Sequence, residues 1–224
     1  MNNNTKRLVT IIGIGLALMM PINRAFAQSL EQLSAEWWQW ALSIPTPVNP
    51  QTDITGQNAV AGQRGSVWFL AGVFGGGTAT RTCSVPEGTA LFFPVLNGVG
   101  INTPKVCGQK GPLTVSKLRT MAADQIAGAA NLSVTVDGVA IAIPPSVQSA
   151  VFAVAFPEDN VFDSPCAGLG GVPAGIYSPA VSDGFYVLLD PLSVGGHTLH
   201  IHGESQFTMQ DVTYNLTIVT VSQK

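Results

Sequence analysis

Leu132-Ser-Val-Thr-Val136, Asp137-Gly138 and Val139-Ala-Ile-Ala-Ile143 form the stretch that decides the fold. Two alternating apolar runs flank an Asp-Gly pair, which readily takes the positive φ values of a two-residue type I′ turn, so the segment predicts a β-hairpin. Other strands lie on both sides of it. Upstream, Ser66-Val-Trp-Phe-Leu-Ala-Gly-Val-Phe74 is a continuous apolar run of strand length, read as a strand buried on both faces, and residues 81–85 and 89–95 follow as further candidates. Downstream, residues 147–156, 184–189, 198–202 and 212–221 complete the set. Because strand follows strand with few helices between, the expected fold is mainly β: a single antiparallel β-sandwich or jelly-roll-like domain over residues 28–224.

Two helices accompany the strands and are expected to pack outside the sandwich. In the first, Ser29 and Gln32 have capping-box spacing, while Leu30, Leu33, Trp37, Trp40, Ala41 and Ile44 fall within one arc at 100° per residue. Pro45 ends it. Trp38 and Leu42 fall outside that arc, which marks Trp38 as the aromatic residue that packing on one face explains least and as a candidate binding residue. The second helix, from Thr114 to about Gly128, spaces Val115, Leu118, Met121, Ala122 and Ile126 helically.

Residues 1–27 are excluded from the fold. Lys6 and Arg7 precede an apolar run from Leu8 to Met20, and Ala25-Phe26-Ala27 supplies small residues for cleavage, the order of a secretory signal peptide. The run is shorter than the roughly 20 residues a helix needs to cross a bilayer, and no later stretch is long and apolar enough. A secreted or periplasmic protein cleaved after Ala27 is therefore expected, with no membrane span after cleavage.

Composition narrows the function classes. Charged residues make up 10% of the chain, against a typical ~25%, and a net charge of -3 without basic clusters leaves no electrostatic footprint for nucleic acid. The three cysteines, Cys83, Cys107 and Cys166, predict one disulfide and one thiol left over in an oxidising compartment, with the pairing open on spacing alone. No nucleophile elbow, phosphate-binding loop, zincin helix or dinucleotide fingerprint is present, so no catalytic residue is assigned. Arg81, two residues from Cys83, could lower its pKa, but no base is identifiable to activate it.

The histidines carry the sharpest lead. All three lie in Gly195-Gly-His-Thr-Leu-His-Ile-His-Gly-Glu204, where strand alternation puts His200, His202 and Glu204 on one face, ligand types for zinc, iron or manganese. A further ligand would have to be a carboxylate such as Glu158, Asp159, Asp163, Asp183 or Asp211. The competing reading is a half-exposed face that tolerates polar residues. His197 is expected to hydrogen-bond a turn backbone. The acidic stretch 157–163 does not fit a calcium loop and is read as a solvated loop.

Trp37-Trp-Gln-Trp40, Val67-Trp-Phe-Leu-Ala-Gly72, Arg81-Thr-Cys83, Gly196-His-Thr198 and Asp211-Val-Thr-Tyr214 together resemble an uncharacterised family of secreted bacterial proteins. The resemblance spans nearly the whole mature chain and brings no activity. It implies that Cys83 has lost a partner cysteine from the loop before Gly62-Gln63, leaving Cys107 and Cys166 to pair. These readings converge on a non-enzymatic extracytoplasmic binding or structural domain without a cofactor, its partner a glycan or protein. A metal-binding protein or metal-dependent enzyme using His200, His202 and Glu204, and a carbohydrate-binding module using Trp38, are the alternatives.

Overall fold

The computed structural model describes residues 28–220, so the expected signal peptide lies outside the described residues. Ten strands form two mixed sheets that pack face to face. In the first sheet, β1 (Val67–Phe69), β3 (Ala90–Ile101), β8 (Gly175–Leu189) and β6 (Val147–Gln148) lie in that order, with β7 (Phe152–Phe156) also paired to β8. The second runs β2 (Gly77–Pro86), β10 (Met209–Val219), β9 (Gly195–Glu204), β4 (Ala130–Val136) and β5 (Val139–Ala140).

The predicted hairpin is β4–β5. Asp137 (φ 52°) and Gly138 (φ 80°) take the two positive dihedrals of a type I′ turn, and Val136 pairs with Val139. Its second strand ends at Ala140, short of the two prolines at 144 and 145 that cannot donate to a ladder. The run from Ser66 is likewise shorter than its apolarity suggests: only Val67–Phe69 is strand, and the carbonyls of Leu70, Ala71 and Gly72 accept from side chains instead.

The pairing is mainly antiparallel, as expected, with two parallel exceptions. β1 runs parallel to β3, and β2 runs parallel to β10 over ten residue pairs, from Gly77↔Gln210 to Pro86↔Val219. Parallel neighbours require a long crossover, and here most of the chain separates the two strands. No turn chemistry announces such a pairing.

Alternation along β3 explains the layering. Leu91, Phe93 and Val95 join Val187, Leu199, Ile201, Val212, Leu216 and Ile218 between the sheets. Phe92 points the other way, stacking on Tyr186 beneath helix α1 (Leu30–Leu42). A strand buried on both faces has no room for polar alternation, hence the continuous apolar run. Helix α2 (Val115–Gln125) is capped by Thr114 and packs Leu118 and Ala122 onto β3, where Gly98 and Gly100 leave space for its backbone. Among the described residues no helix is long and apolar enough to cross a membrane.

Candidate functional site

The histidine face forms as the alternation predicts. His200, His202 and Glu204 project from the outer face of β9, and the β10 register sets Asp211 directly opposite His202. His200 Nε2 lies 2.9 Å from Asp211 Oδ1, His202 Nδ1 3.4 Å from Asp211 Oδ2, and His202 Nε2 3.1 Å from Glu204 Oε1. Asn131 Nδ2 donates to the other Glu204 oxygen. The contact with His200 holds the Asp211 carboxyl below its usual range, and Asn131, then His202, do the same for Glu204. Each ring thus turns a nitrogen to a neighbouring carboxylate, and the side chains form a chain of pairs instead of converging on a point. Among the described residues no group of three or more His, Cys, Asp and Glu side chains is placed to hold a metal ion.

His197 behaves as expected, with Nε2 2.9 Å from the Ser193 carbonyl, and adds a partner that spacing did not suggest: Nδ1 lies 2.7 Å from Asp137 Oδ2 in the type I′ turn. The acidic loop is less solvated than its composition implies. Asp163 accepts from the Asn160 and Val172 amides and so folds residues 160–172 around the buried Asn160.

Cys107 and Cys166 form a disulfide, Cα–Cα 5.2 Å, and Cys83 is unpaired and buried. Burial pushes the Cys83 thiol up to about 11, outweighing the opposite pull of the Arg81 cation. It is therefore a protonated core residue and not an activated nucleophile. Arg81 has a different task, for its side chain is only 1% exposed. It donates to the carbonyls of Asp53, Ala71 and Gly72 and to Tyr214 Oη, and its guanidinium lies over the Tyr214 ring.

The expectation that Trp38 is left over from packing is corrected. It is 6% exposed and donates Nε1–H to Tyr186 Oη at 3.1 Å, while Trp37 meets it edge-on and donates to the Leu70 carbonyl. A single arc failed here because α1 is embedded, with Ala61 and Leu70 accepting from Trp40 and Trp37 on one side and β7 and β8 packed on another. An exposed aromatic platform is therefore absent at Trp38.

What the two tryptophans do line is a cavity of about 320 Å³, within the size range of small-molecule sites. It opens where the loop 72–76, the β9–β10 turn and the end of α2 meet. Gln125 is fixed by bonding both the amide and the carbonyl of Val99, and Gln210 by accepting from the Val73 amide. Gly72 makes the second contact feasible, since a Cβ there would overlap the Gln210 amide. Asn97 donates to Tyr186 Oη, and exposed Phe207 stands at the rim.

Gln51 is the exception in this wall. Its residue is 4% exposed and its backbone is well held, by Asn49 Oδ1 and by the Phe74 amide, yet its Nε2 has no hydrogen-bond partner among the described residues. A buried donor left unpaired costs about 1–3 kcal/mol. Among the described residues lining the cavity none is charged. No sequence motif announces this site, because its amides come from positions 51, 97, 125 and 210 on separate elements. Only their buried setting in otherwise apolar neighbourhoods could have singled them out.

Comparison of the chain with protein-family models, with curated proteins and with solved structures gives no match.

Proposed function

We propose that this protein is a non-enzymatic, extracytoplasmic binding domain and that the cavity floored by Trp37 and Trp38 is where it binds a small uncharged ligand. The observation that carries this reading is a cavity of about 320 Å³ whose wall brings tryptophan rings and carboxamides together and, among the described residues, holds no charge. The leader-like residues 1–27 and the Cys107–Cys166 disulfide support an extracytoplasmic setting.

The test uses the uncharged fluorophore N-phenyl-1-naphthylamine. The expected result is a saturable, one-to-one fluorescence enhancement that is lost in Val73→Trp, which fills the cavity from the loop, and in Thr208→Trp, which fills it from the opposite turn. Both variants should keep the wild-type circular dichroism. No saturable enhancement, or one unchanged in both variants, rejects the reading.

A further inference from the structure

A second cavity, of about 500 Å³, adjoins the first, and the two share Val99 and Phe162 in their walls. Its lining is mostly hydrocarbon, with Ile101, Leu113, Met121, Phe156 and Val172 among the residues that form it. Phe162 is the partition. Its ring meets Phe74 of the first cavity edge-on at 5.3 Å and Phe156 of the second at 5.6 Å, so one aromatic ring forms part of the wall of both. The polar character is one-sided: carboxamides of Gln51, Asn97, Gln125 and Gln210 line the first cavity, whereas the second has Thr103, Gln109 and one charged residue, the exposed Lys110.

From this juxtaposition we infer that the two cavities are the head and tail compartments of one site for a single-chain amphiphile with an uncharged, hydrogen-bond-accepting head. The inference rests on the binding reading above. An ionised head is disfavoured in the first cavity because no cation there would offset its desolvation. A hydroxyl or ester oxygen can instead accept from Gln210 Nε2, whose carboxamide is oriented by the Val73 amide at its oxygen. The chain then runs over Val99 and Phe162, where each methylene removed from water adds a constant increment of affinity.

The probes are 1-monohexanoyl-, 1-monooctanoyl- and 1-monodecanoylglycerol, titrated calorimetrically below their micellar concentrations, with decanoic acid as the ionised comparison. Affinity is expected to rise up to about four-fold per added methylene, the value for full burial of a CH₂. Decanoic acid should bind at least about ten-fold more weakly than the decanoyl ester, since its carboxylate would be desolvated without a partner. Gln210→Met should weaken all three esters alike, and Met121→Trp, which fills the tail compartment, should flatten the chain-length dependence. Should Met121→Trp fail to fold, Leu113→Trp tests the same compartment. Affinity independent of chain length overturns the inference, and so does decanoic acid binding as tightly as its ester with that binding lost in Lys110→Ala. Naphthylamine binding without chain-length dependence removes the amphiphile and leaves the binding domain standing; loss of both removes both.

Discussion

The outer face of β9 and the cavity behind α1 treat polar groups in opposite ways. On the face, His200, Asp211, His202, Glu204 and Asn131 satisfy one another in a chain, and His197 and Asp137 form a second pair. In the cavity wall, the Gln125 and Gln210 carboxamides are tied to the backbone and Asn97 to Tyr186 Oη, in a lining that holds no charge among the described residues. The difference teaches that a conspicuous cluster of titratable side chains is weak grounds for a site when its members are each other's partners. An uncharged cavity of small-molecule size lined by aromatic rings and carboxamides points more directly to a ligand.

That contrast breaks most severely if the cavity side is not rigidly built. Arg81→Met should cost about 3–5 kcal/mol, because it orphans the Asp53 and Gly72 carbonyls at roughly 1–3 kcal/mol each and removes the cation over the Tyr214 ring, while Ala71 and Tyr214 keep their bonds to each other. The Gly72 carbonyl sets the loop at the cavity mouth, so naphthylamine binding should fall as well. Urea denaturation measures the first effect, and a loss below about 1 kcal/mol would mean that water replaces the guanidinium freely. Next is the disulfide, whose half-cystines stand 59 residues apart and tie the loop of Phe162 to the segment after β3. Cys107→Ser with Cys166→Ser should cost about 2–4 kcal/mol and loosen the Phe162 partition, whereas the histidine face should keep its pairs.

Legibility in the sequence follows the range over which each feature is determined. The Asp137-Gly138 turn, the Ser29 cap, the helix that starts after Thr114 and the apolar strand over 89–95 are set by neighbours a few residues away, and all are found where the pattern puts them. The parallel β2–β10 ladder depends on segments far apart in the chain and leaves no local mark. Arg81 is instructive. Its place among Ala79, Cys83 and Val85 in a period-2 pattern assigns it to the inward face of β2, yet proximity to Cys83 suggests a reactive thiol instead. Trp38 was obscured because a helical arc assumes one packing surface. The cavity amides share no spacing, since four separate elements supply them.

Smaller effects sharpen the comparison on both sides. Gln51→Met removes an unpaired donor at nearly constant volume, so it should stabilise the protein by about 1 kcal/mol. Thermal melts read the sign, and destabilisation would show that Gln51 Nε2 is already satisfied by water. On the outer face, His200→Ala with His202→Ala should move Tm by less than about 3 °C, as half-exposed ion pairs contribute little. Elemental analysis of the wild type gives the companion measurement: stoichiometric zinc, iron or manganese lost in this double variant would reverse the comparison.

The smallest effect is one of pH, at His197 and Asp137. The hydrogen bond to Asp137, then the Ser193 carbonyl, raises the His197 pKa, and the Thr198 amide, then His197, lowers that of Asp137. The raised histidine contributes stability that is complete below about 6.5, its unfolded value, and disappears as pH climbs through the folded one. The depressed carboxylate contributes above about 4 and fades as pH falls through its own folded value. Both act together only between those limits. Asp137→Asn should therefore lower Tm more at pH 5.5 than at pH 9, and should return the NMR-titrated His197 pKa towards its ordinary value. An unchanged His197 pKa would mean that Ser193 alone holds the ring, and the outer face would then lose one of the pairs that set it apart from the cavity.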